Sequence, residues 1–252
     1  MLRYTCSFAG AIALGLLVAA PGASAADKIP AAVAAAVADA GRPDTDKARD
    51  ANRKPAEVVA FSGIKAGDHV AELLPGAGYF TRIISKVVGD KCVVFAITPP
   101  PRPDAQPGQP PAVAALTTDY KNIKVSQLSP TQIAPEPVDV VWTSDNYHDL
   151  HNRPNADLVA FNKSVFAALK PGGTYIVIDH AAEKGSGARD TNTLHRIDPE
   201  IVKQEVTAAG FTLDSTSDAL QNKEDPHTAG VRDPSIQGHT DQFALKFRKP
   251  KK

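Results

Sequence analysis

Residues 68–88 read D-H-V-A-E-L-L-P-G-A-G-Y-F-T-R-I-I-S-K-V-V and decide the fold. The apolar run at residues 69–74 predicts a short strand that carries Glu72 near its end. Residues 75–78, P-G-A-G, predict a turn, and the apolar period from Tyr79 onward predicts a helix. A strand, a glycine-rich turn and a helix start in this order are typical of nucleotide-type sites. Glycines let the backbone approach a ligand, and the helix start offers unpaired N–H groups.

The rest of the chain repeats the alternation of strands and helices. Helices are predicted at residues 26–40, 55–61, 156–169 and 198–209. Further strands are predicted at residues 91–98, 122–128, 138–143, 174–178, 211–214 and 241–249. Seven prolines between residues 99 and 111 predict an extended loop without regular structure. The alternation requires a mostly parallel sheet with helices on both faces, and such sheets bind ligands beyond the carboxyl ends of their strands.

A second signature, L-K-P-G-G-T-Y-I-V-I-D at residues 169–179, follows the first by about a hundred residues. In this order and spacing the two signatures resemble the class I S-adenosylmethionine-dependent methyltransferases, over residues 49–247. The chain is most similar to a group of predicted bacterial methyltransferases that carry E-L-x-P-G-x-G-Y, N-Y-H-D-L and L-H-R-I-D segments. The resemblance implies a Rossmann-like doubly wound sheet of seven mostly parallel strands, the last one antiparallel. It also implies methyl transfer to a small molecule.

The resemblance further implies S-adenosyl-L-methionine as the cofactor, held at the strand ends. The residues expected to bind it are Glu72, Leu73, Pro75, Gly76, Gly78, Tyr79, Thr98, Gln127 and Asn146. Two positions depart from the family pattern. Leu74 stands where the family has its first glycine, and Thr98 stands where most members have an acid that binds both ribose hydroxyls. A hydroxyl makes one such bond and not the bidentate, charge-assisted pair, so weaker cofactor binding is expected.

The densest group of proton-transfer residues follows the predicted fourth strand. The expected catalytic residues are His148, Asp149, Asp179 and His180, with His148 as the general base and Asp149, Asp179 or Asp145 orienting it. His195 is expected to converge on them from a neighbouring loop.

Two other interpretations stay open. The same side chains, with His151, are N and O ligands that suit a divalent metal, although H-D-L-H lacks the H-E-x-x-H spacing and no metal ligand is assigned. The alternative to a methyltransferase is therefore an exported protein that uses the fold to bind another ligand or a divalent metal. A purely structural module is disfavoured, because it has no need for polar residues at its strand ends.

The amino-terminal residues predict export. Residues 1–25 combine Arg3, an uncharged apolar run at residues 8–20 and the small residues A-S-A at 23–25, which is typical of a cleaved signal peptide. A periplasmic or secreted location without stable membrane insertion is expected, and an uncleaved anchor is the alternative. Residues 26–54 are predicted to form a helix and a charged arm, in which Arg49, Asp50 and Arg53 are candidates for covering the cofactor. Residues 55–252 form the predicted methyltransferase-like domain.

The charge balance limits the class of partner. The chain has 28 Lys+Arg and 28 Asp+Glu residues, so no net field attracts nucleic acid. A small molecule is the expected partner, and the oligomeric state is left open.

Overall fold

The computed structural model describes residues 29–100, 108–129 and 131–251. The predicted signal peptide and residues 101–107 of the proline-rich segment lie outside the described residues. Within them the chain forms one sheet of seven strands: β1 (Val70–Leu73), β2 (Val94–Thr98), β3 (Ile123–Gln127), β4 (Val138–Ser144), β5 (Leu169–His180), β6 (Thr212–Ser217) and β7 (Gln242–Arg248).

The helices alternate with these strands. They are α1 (Ala31–Val37), α2 (Asp44–Lys47), α3 (Asp50–Arg53), α4 (Pro55–Ser62), α5 (Tyr79–Val88), α6 (Tyr147–His151), α7 (Leu158–Ala168) and α8 (Pro199–Ala208), with a 3-10 helix at Ala112–Thr118. Helix α8 begins as its sequence predicts, because the side chain of Asp198 accepts a hydrogen bond from the backbone N–H of Glu200 and proline occupies the first turn.

The strand order is β3-β2-β1-β4-β5-β7-β6. Strand β1 pairs in parallel with both β2 and β4, and only β7 runs antiparallel to its neighbours β5 and β6. The predicted Rossmann-like sheet of seven mostly parallel strands with an antiparallel last strand is confirmed. Because the chain winds away from β1 in opposite directions on its two sides, the crevice at the carboxyl ends of β1 and β4 is the expected ligand site.

Helices cover both faces of the sheet, as predicted. Alternate residues of each strand point to opposite faces, so each face has its own apolar core. On one face Val70 and Trp142 pack with apolar residues of α1, α4, α5 and the 3-10 helix. On the other face Leu73 and Val177 pack with α6, α7 and α8. Glu72 has the same parity as Val70 and therefore faces the layer that contains α5.

Three local predictions differ from the structure. Residues 171–173, P-G-G, were expected to separate a helix from a strand, but β5 already begins at Leu169, and its pairing with β4 shifts register between Val138 and Val140. No helix was predicted directly after β4, where Tyr147–His151 form α6. No helix was predicted within the charged arm, but it folds into the short helices α2 and α3, because its side chains pair with α5. Among the described residues, no helix is long and apolar enough to cross a membrane.

Candidate active site

A pocket opens at the carboxyl ends of β1 and β4. Six of the nine residues predicted to bind the cofactor line it: Glu72, Leu73, Pro75, Gly76, Tyr79 and Asn146. The other lining residues come from the arm, the β1–α5 turn, the first turn of α5 and the end of β4: Asp46, Arg49, Arg53, Leu74, Ala77, Phe80, Ser144 and Asp145. We call this space the first pocket.

Glu72 is a buried carboxylate that the protein leaves partly unpaired. It is 3% exposed, and its Oε2 atom has no hydrogen-bond partner. Burial raises the pKa of Glu72 to about 7, although the hydroxyl of Thr81 and the charges of Arg53 and Arg82 act to lower it. An unsatisfied buried acceptor costs about 1–3 kcal/mol. A ligand that donates a hydrogen bond to Oε2 would recover this cost, so Glu72 is suited to hold a donor group.

The two glycines of the turn have different roles. Both are in the left-handed region, with φ of 60° for Gly76 and 86° for Gly78. The space beside Gly76 is open, since no heavy atom lies within 4 Å of the position that a Cβ would take. A Cβ on Gly78 would instead overlap Cδ1 of Leu116 in the 3-10 helix. Gly78 was predicted to contact the cofactor, but it does not line the first pocket, and its missing side chain makes room for Leu116.

Leu74, which stands where a glycine was expected, lies in the left-handed region that glycine adopts without strain. Its φ is 54°, which costs a non-glycine residue about 1–2 kcal/mol. Two hydrogen bonds keep it there: its N–H donates to the carbonyl of Ile97 at 2.8 Å, and its carbonyl accepts from Nδ2 of Asn146 at 3.3 Å. These two bonds hold the turn in this conformation, and Leu74 is part of the pocket wall.

The arm is fixed to the start of α5 by ion pairs and by Tyr79. The hydroxyl of Tyr79 donates to Oδ1 of Asp50 at 2.5 Å. Asp50 in turn accepts two hydrogen bonds from the buried guanidinium of Arg42, at 2.6 and 2.8 Å. The guanidinium carbons of Arg49 and Arg53 lie 5.1 and 4.6 Å from the centre of the Tyr79 ring. These contacts place the arm as one wall of the first pocket.

Arg53 connects the arm to the end of β4. Its guanidinium donates to Oδ2 of Asp145 at 2.7 Å and to Oγ of Ser144 at 3.1 Å. Asp145, like Leu74, is a non-glycine residue with positive φ, at 60°. Backbone strain of this kind persists where the surrounding structure requires it and is concentrated at functional sites.

Thr98 and Gln127 pair at the ends of β2 and β3 but do not line the first pocket. Thr98 is buried, and its hydroxyl donates to the carbonyl of Ser126 at 3.2 Å. Gln127 is exposed. The hydroxyl that was expected to replace the family's acid therefore already has a backbone partner.

A second pocket lies beside the first and shares Arg49, Arg53 and Asp145 with it. Its other lining residues are Asn52, His180, Gln237, Gly238, Thr240 and Gln242. This wall has the two guanidinium groups of Arg49 and Arg53 against the one carboxylate of Asp145, together with several neutral donors, and therefore suits an anionic molecule.

His180 is the predicted catalytic residue that lines the second pocket. Its Nδ1 atom lies 2.8 Å from Oγ1 of Thr240 and 3.2 Å from Nε2 of Gln242, which also donates to Asp145 at 3.0 Å. With the Gln242 amide in this orientation, Nδ1 accepts a hydrogen bond and the imidazole proton sits on Nε2. Burial lowers the pKa of His180, so the ring is neutral at pH 7. His180 thus offers an N–H donor.

His148, Asp149 and Asp179 come together as predicted, with His148 and Asp179 buried and Asp149 half-exposed. His148 is 3% exposed and lines neither pocket. Its Nδ1 atom lies 2.7 Å from Oδ1 of Asp179, and its Nε2 atom lies 3.3 Å from Oδ1 of Asp149. Burial acts to lower the pKa of His148, but the charges of Asp179 and Asp149 outweigh it and raise the pKa to about 10. An imidazolium accepts no proton, so this geometry does not favour the predicted general base.

His195 joins this group, as expected. Its Nδ1 atom lies 3.5 Å from the same Oδ1 atom of Asp149, and its ring centre is 5.4 Å from that of His148. Among the described residues, His148, Asp149 and His195 are three side chains whose potential ligand atoms all lie within 4.8 Å of one another. His151 points elsewhere and contacts Glu205.

Solved structures with a similar fold include methyltransferases and a cyclase. A SAM-dependent methyltransferase from Aquifex aeolicus superposes with a TM-score of 0.57 at 19% identity, over 82% of this chain and 98% of its own. The 1,6-didemethyltoxoflavin-N1-methyltransferase of Burkholderia thailandensis, solved with 1,6-didemethyltoxoflavin and S-adenosylhomocysteine, gives 0.52 at 16% identity, over 77% and 76%. The chain has a class I methyltransferase fold. The cyclase SpnF also matches, with a TM-score of 0.57 at 16% identity over 82% of each chain.

Sequence comparison alone finds no match to protein-family profiles or to curated proteins. At identities below 25% the structural similarity establishes the fold, and the reaction has to be argued from the site.

Sequence reasoning missed several residues that line the two pockets, among them Asp46, Thr240 and Gln242. Asp46 lies in the charged arm, where the exposed residues look alike in sequence, and it is identified only by its ion pair with Arg82 at 2.9 Å. Thr240 and Gln242 lie about 60 residues after His180, at the start of the last strand. The antiparallel pairing of β5 with β7 brings Gln242 opposite His180, a register that the sequence does not specify.

Proposed function

We propose that this protein is an S-adenosylmethionine-dependent methyltransferase that acts on a small molecule with an acidic group. The observation that carries the proposal is Glu72. It is a buried carboxylate with an unpartnered oxygen, at the end of β1 in a methyltransferase fold, beside a turn whose first glycine leaves open space. A structural carboxylate at this depth would be paired or absent.

The residues of the first pocket fit the cofactor on the side of β1. The Oε2 atom of Glu72 would accept a hydrogen bond from it, and Gly76 would let the backbone approach it closely. The Nδ2 atom of Asn146 already donates a hydrogen bond to the carbonyl of Leu74, so its role is to hold the turn. When bound, S-adenosylmethionine supplies an electrophilic methyl group. The fit is weaker on the side of β2, where Thr98 replaces the carboxylate and its hydroxyl faces Ser126.

The second pocket would hold the methyl acceptor. Arg49 is exposed and contacts the face of Tyr79, and within the described part of the chain it makes no ion pair. Together with the N–H of His180 it would bind a carboxylate or an acidic hydroxyl. A nucleophile that arrives deprotonated needs no general base. This agrees with the geometry of His180, whose Nδ1 atom accepts a hydrogen bond from Gln242 and whose Nε2 atom carries the proton.

Calorimetric titration with S-adenosylhomocysteine, the demethylated product of the cofactor, tests the proposal. We expect one site per chain and at least tenfold weaker binding for Glu72→Gln, which keeps the shape of the side chain and removes its charge. Glu136→Gln is the matched control, because Glu136 is an exposed carboxylate that pairs with His69 outside the pocket. Its affinity should equal that of the wild type.

Thr98, which stands where the family pattern has an acid, provides a second variant for this test. Thr98→Asp restores the missing carboxylate and should tighten binding by about tenfold, which corresponds to roughly 1.4 kcal/mol. Absence of heat in both the wild type and Thr98→Asp at millimolar ligand would refute the cofactor assignment.

The rival function is ligand binding without methyl transfer. The same fold in a cyclase, and the missing acid on β2, favour it. One observation distinguishes the two functions. A methyltransferase releases S-adenosylhomocysteine when it is supplied with S-adenosylmethionine and a small carboxylic acid or phenol acceptor, whereas a binding protein does not.

A further inference from the structure

We propose that His148, Asp149 and His195 bind a divalent transition-metal ion. The ligand atoms are Nε2 of His148, Oδ1 of Asp149 and Nδ1 of His195. The carboxylate oxygen lies 3.3 Å from the first nitrogen and 3.5 Å from the second. Ligand atoms bound at 2.0–2.1 Å in tetrahedral geometry are about 3.4 Å apart, so two of the three separations already suit a metal.

Asp179 fixes the orientation of His148 from behind. Its Oδ1 atom faces Nδ1 of His148 at 2.7 Å and accepts the backbone N–H of His180 at 2.8 Å, while Oδ2 accepts the backbone N–H of His148 at 2.8 Å. The carboxylate is therefore fully engaged and has no exposed surface. A histidine whose one nitrogen is held by a carboxylate presents the other nitrogen to a metal, which is the outer-sphere arrangement common to metal-bound histidines.

His195 is held in a strained conformation that directs it to the same oxygen. Its φ is 55°, an uncommon value for histidine. The next residue, Arg196, is fully buried and makes a two-point ion pair with Asp225, at 2.8 and 3.2 Å. This anchor keeps the backbone of His195 in place. Strain that the fold maintains next to a cluster of ligand-type side chains points to a functional use.

The donor set and its accessibility define the kind of metal. Two imidazoles and one carboxylate suit Zn²⁺ or Fe²⁺, and three protein ligands leave at least one coordination position open. Asp149 is 49% exposed and His195 is 33% exposed at the side chain, so an ion can reach the site from solvent. Asp149 and Asp179 place two negative charges beside His148, and Arg153 lies near Asp149. The metal ion would take the place of the proton on Nε2 of His148, which leaves when the ion binds.

The site does not depend on the proposed cofactor. None of its three ligands lines the first pocket, and Glu72 is not among them. Metal binding and methyl transfer therefore fail or succeed independently.

Calorimetric titration of chelator-treated full-length protein with Zn²⁺ alone tests the proposal. The wild type should bind one Zn²⁺ per chain. His195→Ala and Asp149→Ala remove partly exposed ligands and should each weaken this binding by at least a hundredfold. Asp179→Asn keeps the shape of the outer carboxylate and should weaken it by about ten- to a hundredfold.

His69→Ala is the matched control. His69 and Glu136 form a histidine–carboxylate pair with the same exposures as His195 and Asp149, 33% and 49%, but it lies outside the His148–Asp149–His195 cluster. Zn²⁺ affinity should be unchanged in this variant. Absence of one-to-one binding in the wild type, or equal affinity in His195→Ala and wild type, would show that the three side chains form only a hydrogen-bonded ion-pair group.

Discussion

At the residue scale, the site depends on a carboxylate that burial makes hard to ionise. The pKa of Glu72 is raised to about 7 from an ordinary value of 4.5. The folded state thus holds this proton more tightly than the unfolded chain does. The stabilisation is present in full below pH 4.5 and is lost as the pH rises through about 7. A pKa difference of this size between the folded and unfolded states corresponds to about 3 kcal/mol of stability.

This predicts a pH-dependent difference between the wild type and Glu72→Gln in the absence of ligand. Other titrating groups contribute equally to both proteins, so they cancel. Between pH 4.5 and pH 8, the free energy of unfolding of the wild type should fall by about 3 kcal/mol relative to that of Glu72→Gln. Urea denaturation at both pH values measures it. A difference that stays constant with pH would mean that Glu72 is not buried as an unpaired acid.

The two turn glycines give a second prediction at this scale. An alanine at either position destabilises the protein by about 1–2 kcal/mol, because the backbone there has a positive φ. At Gly78 the added methyl also overlaps Leu116, and overpacking adds about 1–3 kcal/mol. Gly78→Ala should therefore be less stable than Gly76→Ala by about 1–3 kcal/mol in urea denaturation. Equal stabilities would contradict the packing role of Gly78.

Individual residues show what a sequence reveals of a site. The position of Glu72 at the end of an apolar strand is a local pattern that predicts a polar group at the ligand edge of the sheet, and Glu72 lines the first pocket there. The packing partner of Gly78 is not local, because Leu116 lies 38 positions further along the chain. The hydrogen bond from Thr98 to Ser126 likewise depends on the register between β2 and β3.

At the element scale, the arm is held by a few partly buried ion pairs. Asp50→Ala leaves the guanidinium of Arg42, 1% exposed, without its carboxylate, and also removes the partner of Tyr79. We expect a loss of about 2–4 kcal/mol, near the range for breaking one side of a buried pair. Asp44→Ala removes a fully exposed carboxylate 3.6 Å from Lys47 and should cost less than about 0.5 kcal/mol.

Chemical denaturation compares the two aspartate variants, and hydrogen exchange of residues 44–53 reports whether the arm detaches. Faster exchange is expected in Asp50→Ala alone. Similar exchange in both variants would mean that apolar contacts, and not the ion pairs, hold the arm.

Elements with a strong apolar period were predictable, and short elements were not. The strands and the longer helices follow from apolar runs with period 2 or 3.6. Helix α6 has five residues, too few to display a period. The extension of β5 back to Leu169 arises because β4 supplies a partner there, in spite of the P-G-G sequence. Helices α2 and α3 depend on Asp46 and Asp50 meeting α5, about 30 residues away.

At the scale of the whole molecule, the sheet topology was predicted through the family resemblance and is confirmed. The alternation of strands and helices specifies a parallel sheet with two helical layers, but many strand orders satisfy it. The chemistry is less determined than the fold, because one architecture carries methyltransferases and a cyclase.

Export is a prediction about the whole chain that rests on residues 1–25, which lie outside the described residues. Amino-terminal sequencing of protein from its native host should begin at Ala26. An intact Met1 in a cytoplasmic fraction would contradict export and would place the protein where S-adenosylmethionine is made.

The most direct test of the account asks whether the ligand binds to Glu72 itself. S-adenosylhomocysteine is titrated into the protein at pH 7 in two buffers with different ionisation enthalpies, and the difference in heat gives the protons released. Hydrogen bonds from the ligand favour the carboxylate and lower the pKa of Glu72. Since a group with a pKa of about 7 is half protonated at that pH, we predict release of about half a proton per site. We predict none with Glu72→Gln. No binding at millimolar ligand, or the same proton release from Glu72→Gln, would contradict the account.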